Sequence, residues 1–244
     1  MKKVIIGVAA AVVVAVVLLA VFGVIGGGGF VIVGSGDLTT RNFDFSHFTS
    51  VVARSGFQLE LVQSSTFGVE VTADDNVIDY IDVDTSGNTL EIKPQWNRSF
   101  RSVTLRAKIT TPDLYEITLS GGSQASISGF SSSHHLSVGL SGGSIVTGDI
   151  TAGEAYFGLS GGSQVNLEGT AEDLDVNGSG GSQLELEAFP VNNADINLSG
   201  GGRATINVNG ALDVNLSGGS HVTYIGEPTL GDIDLSGDST VSQY

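Results

Sequence analysis

Apolar and polar residues divide the chain into two parts with different patterning. An unbroken apolar run of 22 residues extends from Val4 to Ile25. Beyond residue 36 no stretch shows the spacing of an amphipathic helix, and apolar residues instead alternate with polar ones, which is typical of strands. The pattern therefore predicts one N-terminal apolar helix followed by an all-β region.

The apolar run is long enough to cross a membrane. A helix of 22 residues is about 33 Å long at ~1.5 Å per residue, and a bilayer core is ~30 Å thick. Lys2 and Lys3 precede the run. They predict a cytoplasmic tail over residues 1–3 and a single-pass protein of the cell membrane, with the bulk of the chain extracytoplasmic. A signal peptide cleaved near Ala20 or Gly23 is the alternative.

A four-residue motif, Ser-Gly-Gly-Ser, recurs through the second half of the chain every 18–21 residues. Its copies, two of them with one residue replaced, are Ser120–Ser123, Ser141–Ser144, Ser160–Ser163, Ser179–Ser182, Ser199–Gly202, Ser217–Ser220 and Ser236–Ser239. A period of this length indicates a solenoid. Glycine allows the positive φ angles of a tight corner, and Asp238 is expected to adopt the same left-handed conformation in the last copy.

Apolar residues alternate with polar ones on both sides of each motif. Leu119, Ser123, Ala125 and Ile127 share one parity, so the same face of the chain points inward before and after the corner. Two or three short strands per coil of about 19 residues predict a parallel β-helix over residues 113–244. Stacked coils bury an apolar face that no coil can bury alone. The spacing does not determine the handedness.

The residues between the apolar run and the repeats divide into two segments. Residues 26–36 contain four consecutive glycines and are interpreted as a flexible linker. Residues 37–112 alternate less regularly than the repeats. We interpret them as irregular β-rich coils that cap the solenoid, with a separate small domain as the alternative.

Charge and composition narrow the function classes. The chain contains 26 acidic and 10 basic residues, a formal net charge of −16, which would repel phosphate backbones and makes nucleic acid an unexpected partner. The absence of cysteine excludes disulfides and thiolate zinc sites. No nucleophile elbow or groove-forming pair of acids is recognisable. We therefore predict no catalytic residues, cofactor or metal.

Stacking of the coils brings one outward position of every coil into a single column. The position directly after each motif is expected to form a surface ladder that binds an extended polymer such as a glycan. The alternative is that stacked amides only stabilise the coils through hydrogen bonds along the column. The polar candidates for binding are Gln124, Gln164, Gln183, Arg203 and His221.

Four Asn-x-Ser/Thr sequons are candidate glycosylation sites. They begin at Asn97, Asn177, Asn197 and Asn215. Three of them arise from the repeat itself, so a chance origin is the alternative.

Four segments, together with the repeats that follow them, carry a resemblance to a known family. They are Phe45–Val51 (FSHFTSV), Val71–Val77 (VTADDNV), Asn88–Ile92 (NTLEI) and Ile109–Leu114 (ITTPDL). Their order resembles the putative auto-transporter adhesin, head GIN domain family, formerly a domain of unknown function. The resemblance implies a right-handed β-helix related in shape to pectin lyases, without conserved catalytic residues, and a role in cell-surface adhesion.

We therefore expect a membrane-anchored β-helix surface protein with a structural or adhesive, non-enzymatic role. Its expected partners are the membrane, through Val4 to Ile25, and a glycan or a cell-surface protein. The alternative is a carbohydrate-binding or carbohydrate-active β-helix protein that acts on envelope polysaccharide. Open strand edges would also allow homo-oligomers.

Overall fold

The computed structural model describes residues 31–95 and 99–244 of the chain. The run from Val4 to Ile25, and with it the membrane-spanning prediction, lies outside the described residues. Within them, no helix has the length and apolar character needed to span a bilayer. Their helical structure is limited to a single 3₁₀ turn, Ile78–Tyr80.

Twenty-three strands form nearly all of the regular structure. The N-terminal region contains β1 (Val31–Val33), β2 (Leu38–Phe43), β3 (Ser50–Arg54), β4 (Gln58–Gln63), β5 (Gly68–Asp74), β6 (Ile81–Ser86), β7 (Thr89–Pro94), β8 (Ser99–Arg101) and β9 (Leu105–Thr111). The repeat region contains β10 (Glu116–Ser120), β11 (Gln124–Ser131), β12 (Leu136–Leu140), β13 (Ile145–Thr151), β14 (Glu154–Leu159), β15 (Gln164–Thr170), β16 (Asp173–Gly178), β17 (Gln183–Val191), β18 (Asn193–Leu198), β19 (Arg203–Val208), β20 (Ala211–Leu216), β21 (His221–Ile225), β22 (Thr229–Leu235) and β23 (Thr240–Gln243).

Two long sheets enclose one hydrophobic core. Sheet A has ten strands in the order β22-β20-β18-β16-β14-β12-β10-β3-β7-β6, and sheet B has eleven in the order β2-β5-β9-β4-β11-β13-β15-β17-β19-β21-β23. In the repeat region each coil contributes the strand before its corner to sheet A and the strand after it to sheet B, and all pairings are parallel. The prediction of an all-β parallel solenoid is confirmed, with seven corners and about six full turns.

Alternation along the strands produces the core. In β16, Leu174 and Val176 are buried, whereas the flanking Asp173 and Asn177 are exposed and Asp175 between the two apolar residues is half-buried. The largest wholly buried side chains come from both the N-terminal region and the repeat region, and Phe157 is one of them. Because burying a large apolar side chain contributes about 1.5–3 kcal/mol, the stacked interior supplies the main stabilising term of the fold.

The motif serines and glycines build the corners. In six copies the last serine donates a hydrogen bond from its hydroxyl to the carbonyl of the first serine, at 2.7–2.9 Å. The first glycine of each copy has a φ between +64° and +81°. The expectation for Asp238 is wrong, because among the described residues only His47, Ser55 and Ser102 combine a side chain with positive φ. Gly181, at the same corner position, has no positive φ either.

The N-terminal strands close one end of both sheets. Strands β3 and β4 form a coil beside the first repeat, and β7 and β9 pair parallel to them on the far side. Strands β2, β5 and β6 then pair antiparallel at this end. The buried carboxylate of Asp74 accepts hydrogen bonds from the backbone nitrogens of Gly36 and Thr104, both at 2.7 Å. These two bonds attach the connecting segments to the capped end.

Candidate ligand-binding surfaces

A polar column, here called the sheet B ladder, runs across the outer face of sheet B. The strand register aligns Gln124, Ile145, Gln164, Gln183, Arg203, His221 and Thr240 directly beside one another. Within this set, Ile145 and His221 are half-buried and the others are exposed. The register of parallel strands spaced ~4.8 Å apart therefore presents one side chain per coil along the solenoid.

The column continues into the capped end, where sequence reasoning did not place it. Gln58 pairs with Gln124, Arg106 pairs with Gln58, Thr72 pairs with Arg106, and Thr40 pairs with Thr72. The 20-residue repeat is absent from this region, so the spacing of motifs could not reveal these members. The complete column crosses all eleven strands of sheet B.

The amides of the ladder are not used to hold the coils together. In the part of the chain that the structure describes, the carboxamides of Gln58, Gln124, Gln164 and Gln183 make no hydrogen bond to another protein group. The members at the two ends do pair: the His221 imidazole and the Thr240 hydroxyl lie 2.8 Å apart, and the hydroxyls of Thr40 and Thr72 lie 2.7 Å apart. The central glutamines therefore keep their donors and acceptors for solvent or a ligand.

The outer face of sheet A carries a second set of columns. Asn177, Asn197 and Asn215 lie side by side in successive strands and line an open groove of about 370 Å³. Their amides do not form a ladder along the column. The Asn177 amide instead donates to Asp175 at 2.7 Å, and the Asn197 amide donates to Asp195 at 2.8 Å, each within its own strand.

Three of the sequon asparagines lie on strands of sheet A. Asn177 and Asn215 are exposed, and Asn197 is half-buried. Asn97 lies outside the described residues. Glycosylation of these positions stays a prediction, and chains attached to neighbouring strands ~4.8 Å apart would compete for the same space.

The histidines do not converge on a metal site. His134 and His135 contact the ring of Tyr115, with centroid distances of 4.8 and 5.6 Å, and His134 lies 3.7 Å from a carboxylate oxygen of Asp113. Over residues 31–95 and 99–244, no group of three or more His, Cys, Asp and Glu side chains has the arrangement of a metal site.

The architecture and its polar faces define a two-sheeted parallel β-solenoid protein. The sequence profile of the "putative auto-transporter adhesin, head GIN domain" family matches residues 47–228. The chain therefore belongs to this family. No curated protein matches it at a significant level.

Several solved structures share the fold. A putative adhesin from Bacteroides fragilis is 23% identical, with a TM-score of 0.82 over 87% of this chain and 100% of that one. A putative adhesin from Parabacteroides merdae is 18% identical, with a TM-score of 0.67 over 88% and 99%. A putative lipid binding protein from Parabacteroides distasonis is 20% identical, with a TM-score of 0.69 over 88% and 100%. At these identities the likeness shows the fold alone.

Proposed function

We propose that this protein is a membrane-anchored, extracytoplasmic adhesion module that binds an extended glycan along the sheet B ladder. The family is one of putative adhesins, and a surface adhesive role agrees with that membership. Gln124, Gln164 and Gln183 are the central contacts of the proposed site, with Arg203 and His221 at the end away from the cap. The proposed membrane anchor is the apolar run from Val4 to Ile25.

The unpaired amides of the ladder carry this proposal. Each central glutamine offers both a donor and an acceptor, and none of these groups is occupied within the described protein. A linear polymer laid along the solenoid axis would meet these amides at Gln58, Gln124, Gln164 and Gln183, and other polar side chains on most of the remaining strands. Several weak contacts in line then act together, so the affinity of the whole exceeds that of any one contact.

We also propose that the module is not an enzyme. Most glycoside hydrolases use two carboxyl groups that flank the bond they cleave, and no acidic side chain belongs to the sheet B ladder. Along its length the ladder offers amides, hydroxyls, two guanidinium groups and one imidazole, which suit binding rather than hydrolysis.

Replacing Gln164 and Gln183 together with alanine tests the site. Cells that display the full chain should lose about ten-fold in attachment to a glycan-coated surface, because two hydrogen bonds of about 0.5–1.5 kcal/mol each are removed. The matched control replaces Ser137 and Thr229, on sheet A, with alanine and should leave attachment unchanged.

Attachment that is unaffected by the Gln164 and Gln183 replacements would refute the ladder as the binding site. The release of sugar from the same glycans would instead favour the carbohydrate-active alternative. Sedimentation of the full chain tests the separate proposal that open strand edges allow homo-oligomers.

A further inference from the structure

An exposed aromatic ring stands on the outer face of sheet A. Tyr156, in β14, is 42% exposed. Its hydroxyl donates a hydrogen bond to Glu154, and its ring meets His135 nearly edge-on at a centroid distance of 6.4 Å. The hydrogen bond to Glu154 is the main cause of a raised pKa for the Tyr156 hydroxyl. These contacts orient the ring while leaving much of it open to a ligand.

Carboxylates continue the column in which Tyr156 stands. Tyr156 pairs with Asp175, Asp175 with Asp195, and Asp195 with Asp213 on successive strands. These side chains line a hollow of about 230 Å³, together with Glu154, Asp173 and Asn193. The ring and these carboxylates therefore line one hollow, in which the carboxylate oxygens can accept hydrogen bonds.

Like charges placed directly opposite each other on neighbouring strands destabilise a sheet. Burial, and after it the charge of Asp195, raises the pKa of Asp175, which is the direction expected for a carboxylate beside another carboxylate. Arg203 is the only lysine or arginine after residue 112, and it lies in β19 of sheet B. His135, which contacts the Tyr156 ring, is the histidine beside the hollow. No lysine or arginine of the repeat region neutralises these carboxylates, so a cationic ligand would reduce the repulsion between them.

The carboxylates are held in position by amides. The Asn177 and Asn197 amides each occupy one oxygen of the aspartate two residues earlier in the strand. The second oxygen of Asp175 and of Asp195 makes no hydrogen bond within the described protein, and both residues line the hollow. Asp213 differs, because the backbone nitrogen of Asp232 donates to it at 2.7 Å.

We propose that this hollow binds a polysaccharide that carries protonated amino groups, with Tyr156, Asp175 and Asp195 as its contacts. An ammonium group beside Tyr156 would meet the face of the ring and a carboxylate together. Sugar hydroxyls would bond to the remaining carboxylate and amide groups. Strands ~4.8 Å apart repeat at about the length of one sugar ring, so successive amines could meet successive coils.

This inference rests on the proposed function in that the ligand is a surface glycan, but it uses the opposite sheet from the ladder. The two can therefore fail independently. Loss of binding here would leave attachment through Gln164 and Gln183 intact, and the reverse also holds.

The test compares two oligomers of equal length, one of glucosamine with free amines and one of N-acetylglucosamine. Binding to the full chain in detergent micelles is measured by calorimetry at mildly acidic pH, where the amines are protonated. The glucosamine oligomer should bind at least about ten-fold more tightly, as expected for charged hydrogen bonds, and its affinity should fall with added salt.

Variants locate the binding. The double replacement Asp175→Asn and Asp195→Asn should weaken glucosamine binding about ten-fold or more, and Tyr156→Ala about five-fold. Tyr156→Phe keeps the ring and should stay within about two-fold. Glu168→Gln, at an exposed position of sheet B outside the ladder, is the surface control and should bind normally. Because the double replacement removes a repulsion, it should also raise the melting temperature of the free protein.

Equal affinity for the two oligomers would overturn the proposal, as would unchanged glucosamine binding in the double variant. Tighter binding of a lysine oligomer of the same charge would also overturn it, since it would identify a basic peptide as the preferred partner. If the double variant unfolds, the affinities of the same two oligomers are compared for Tyr156→Ala. Unchanged glucosamine binding by that variant would then overturn the proposal.

Discussion

The Ser163 hydroxyl donates a hydrogen bond to the carbonyl oxygen of Ser160 at 2.7 Å, and Ser163 is wholly buried. Ser160 and Ser163 begin and end one copy of the repeated motif, so this bond closes the corner that separates a sheet A strand from a sheet B strand. Ser163 therefore faces the core as a small polar side chain, and its hydrogen-bond acceptor is a backbone carbonyl of the same corner. This explains why the motif ends in serine although its parity points inward.

We expect Ser163→Ala to lower the free energy of unfolding by about 1 kcal/mol, because the Ser160 carbonyl loses its side-chain donor in a partly buried corner. Denaturant titration followed by circular dichroism measures the change. Ser160→Ala is the matched control, since the Ser160 hydroxyl lies 3.5 Å from its nearest acceptor and should contribute little. An equal loss in both variants would contradict the role of the corner bond.

Gly161→Ala should destabilise the fold by about 1–2 kcal/mol, because Gly161 has a φ of +67° that an L-residue adopts at that cost. Its new methyl group would also lie 3.3 Å from the backbone nitrogen of Gly142 in the preceding coil. Gly158 is exposed, and a methyl group there meets nothing within 4 Å. Gly158→Ala should therefore be neutral or stabilising, and similar melting temperatures for both variants would argue against the corner geometry.

Stability should fall at acid pH through Asp74. The backbone hydrogen bonds from Thr104 and Gly36 lower the pKa of Asp74 below the ordinary value of 3.8. A depressed folded-state pKa stabilises the protein above the unfolded pKa, and this stabilisation disappears as the pH falls through the folded pKa.

Asp74→Asn should accordingly be less stable than the parent protein at neutral pH, and the difference should narrow as the pH falls below about 3.8. Thermal melts over a pH series measure it. Asp44→Asn, at an exposed position outside any strand, is the control and should follow the parent curve. A stability difference that does not change with pH would exclude a role for the Asp74 charge.

Membrane anchoring is tested by fractionation. The full chain should stay in the membrane pellet after a high-salt wash, because an apolar segment of 22 residues is held by the bilayer rather than by charge. A chain that lacks residues 4–25 is the control for non-specific sedimentation. Recovery of the natural protein in soluble form with a shortened N-terminus would instead show cleavage near Ala20 or Gly23.

The repeat region could be predicted well from the sequence because its contacts are one-dimensional. Each coil meets only the coils before and after it, so the spacing of the Ser-Gly-Gly-Ser copies determines which residues become neighbours. The alignment of Gln164 with Gln183 follows from that spacing alone. Alternation likewise assigns residues such as Leu174 and Val176 to the core.

The N-terminal region could not be predicted in the same way, because its strands pair out of chain order. Strand β3 lies between β7 and β10, and β9 lies between β5 and β4. Such pairings join distant segments without a repeated motif, so no local spacing reveals them. The extension of the ladder to Gln58 and Arg106 depends on these pairings.

The sequence by itself determined the all-β solenoid, its corners and its outward columns, because strand alternation and glycine spacing are local properties. Only the tertiary structure decided which polar groups are already paired. Among the residues that the structure describes, the ladder glutamines have no side-chain partner, whereas each of two asparagines is joined to an aspartate of its own strand. The tertiary structure also placed Tyr156 beside Asp175 in one column. Side-chain pairing depends on rotamers and on the neighbouring coils together, and the pattern of residues along the chain does not contain that information.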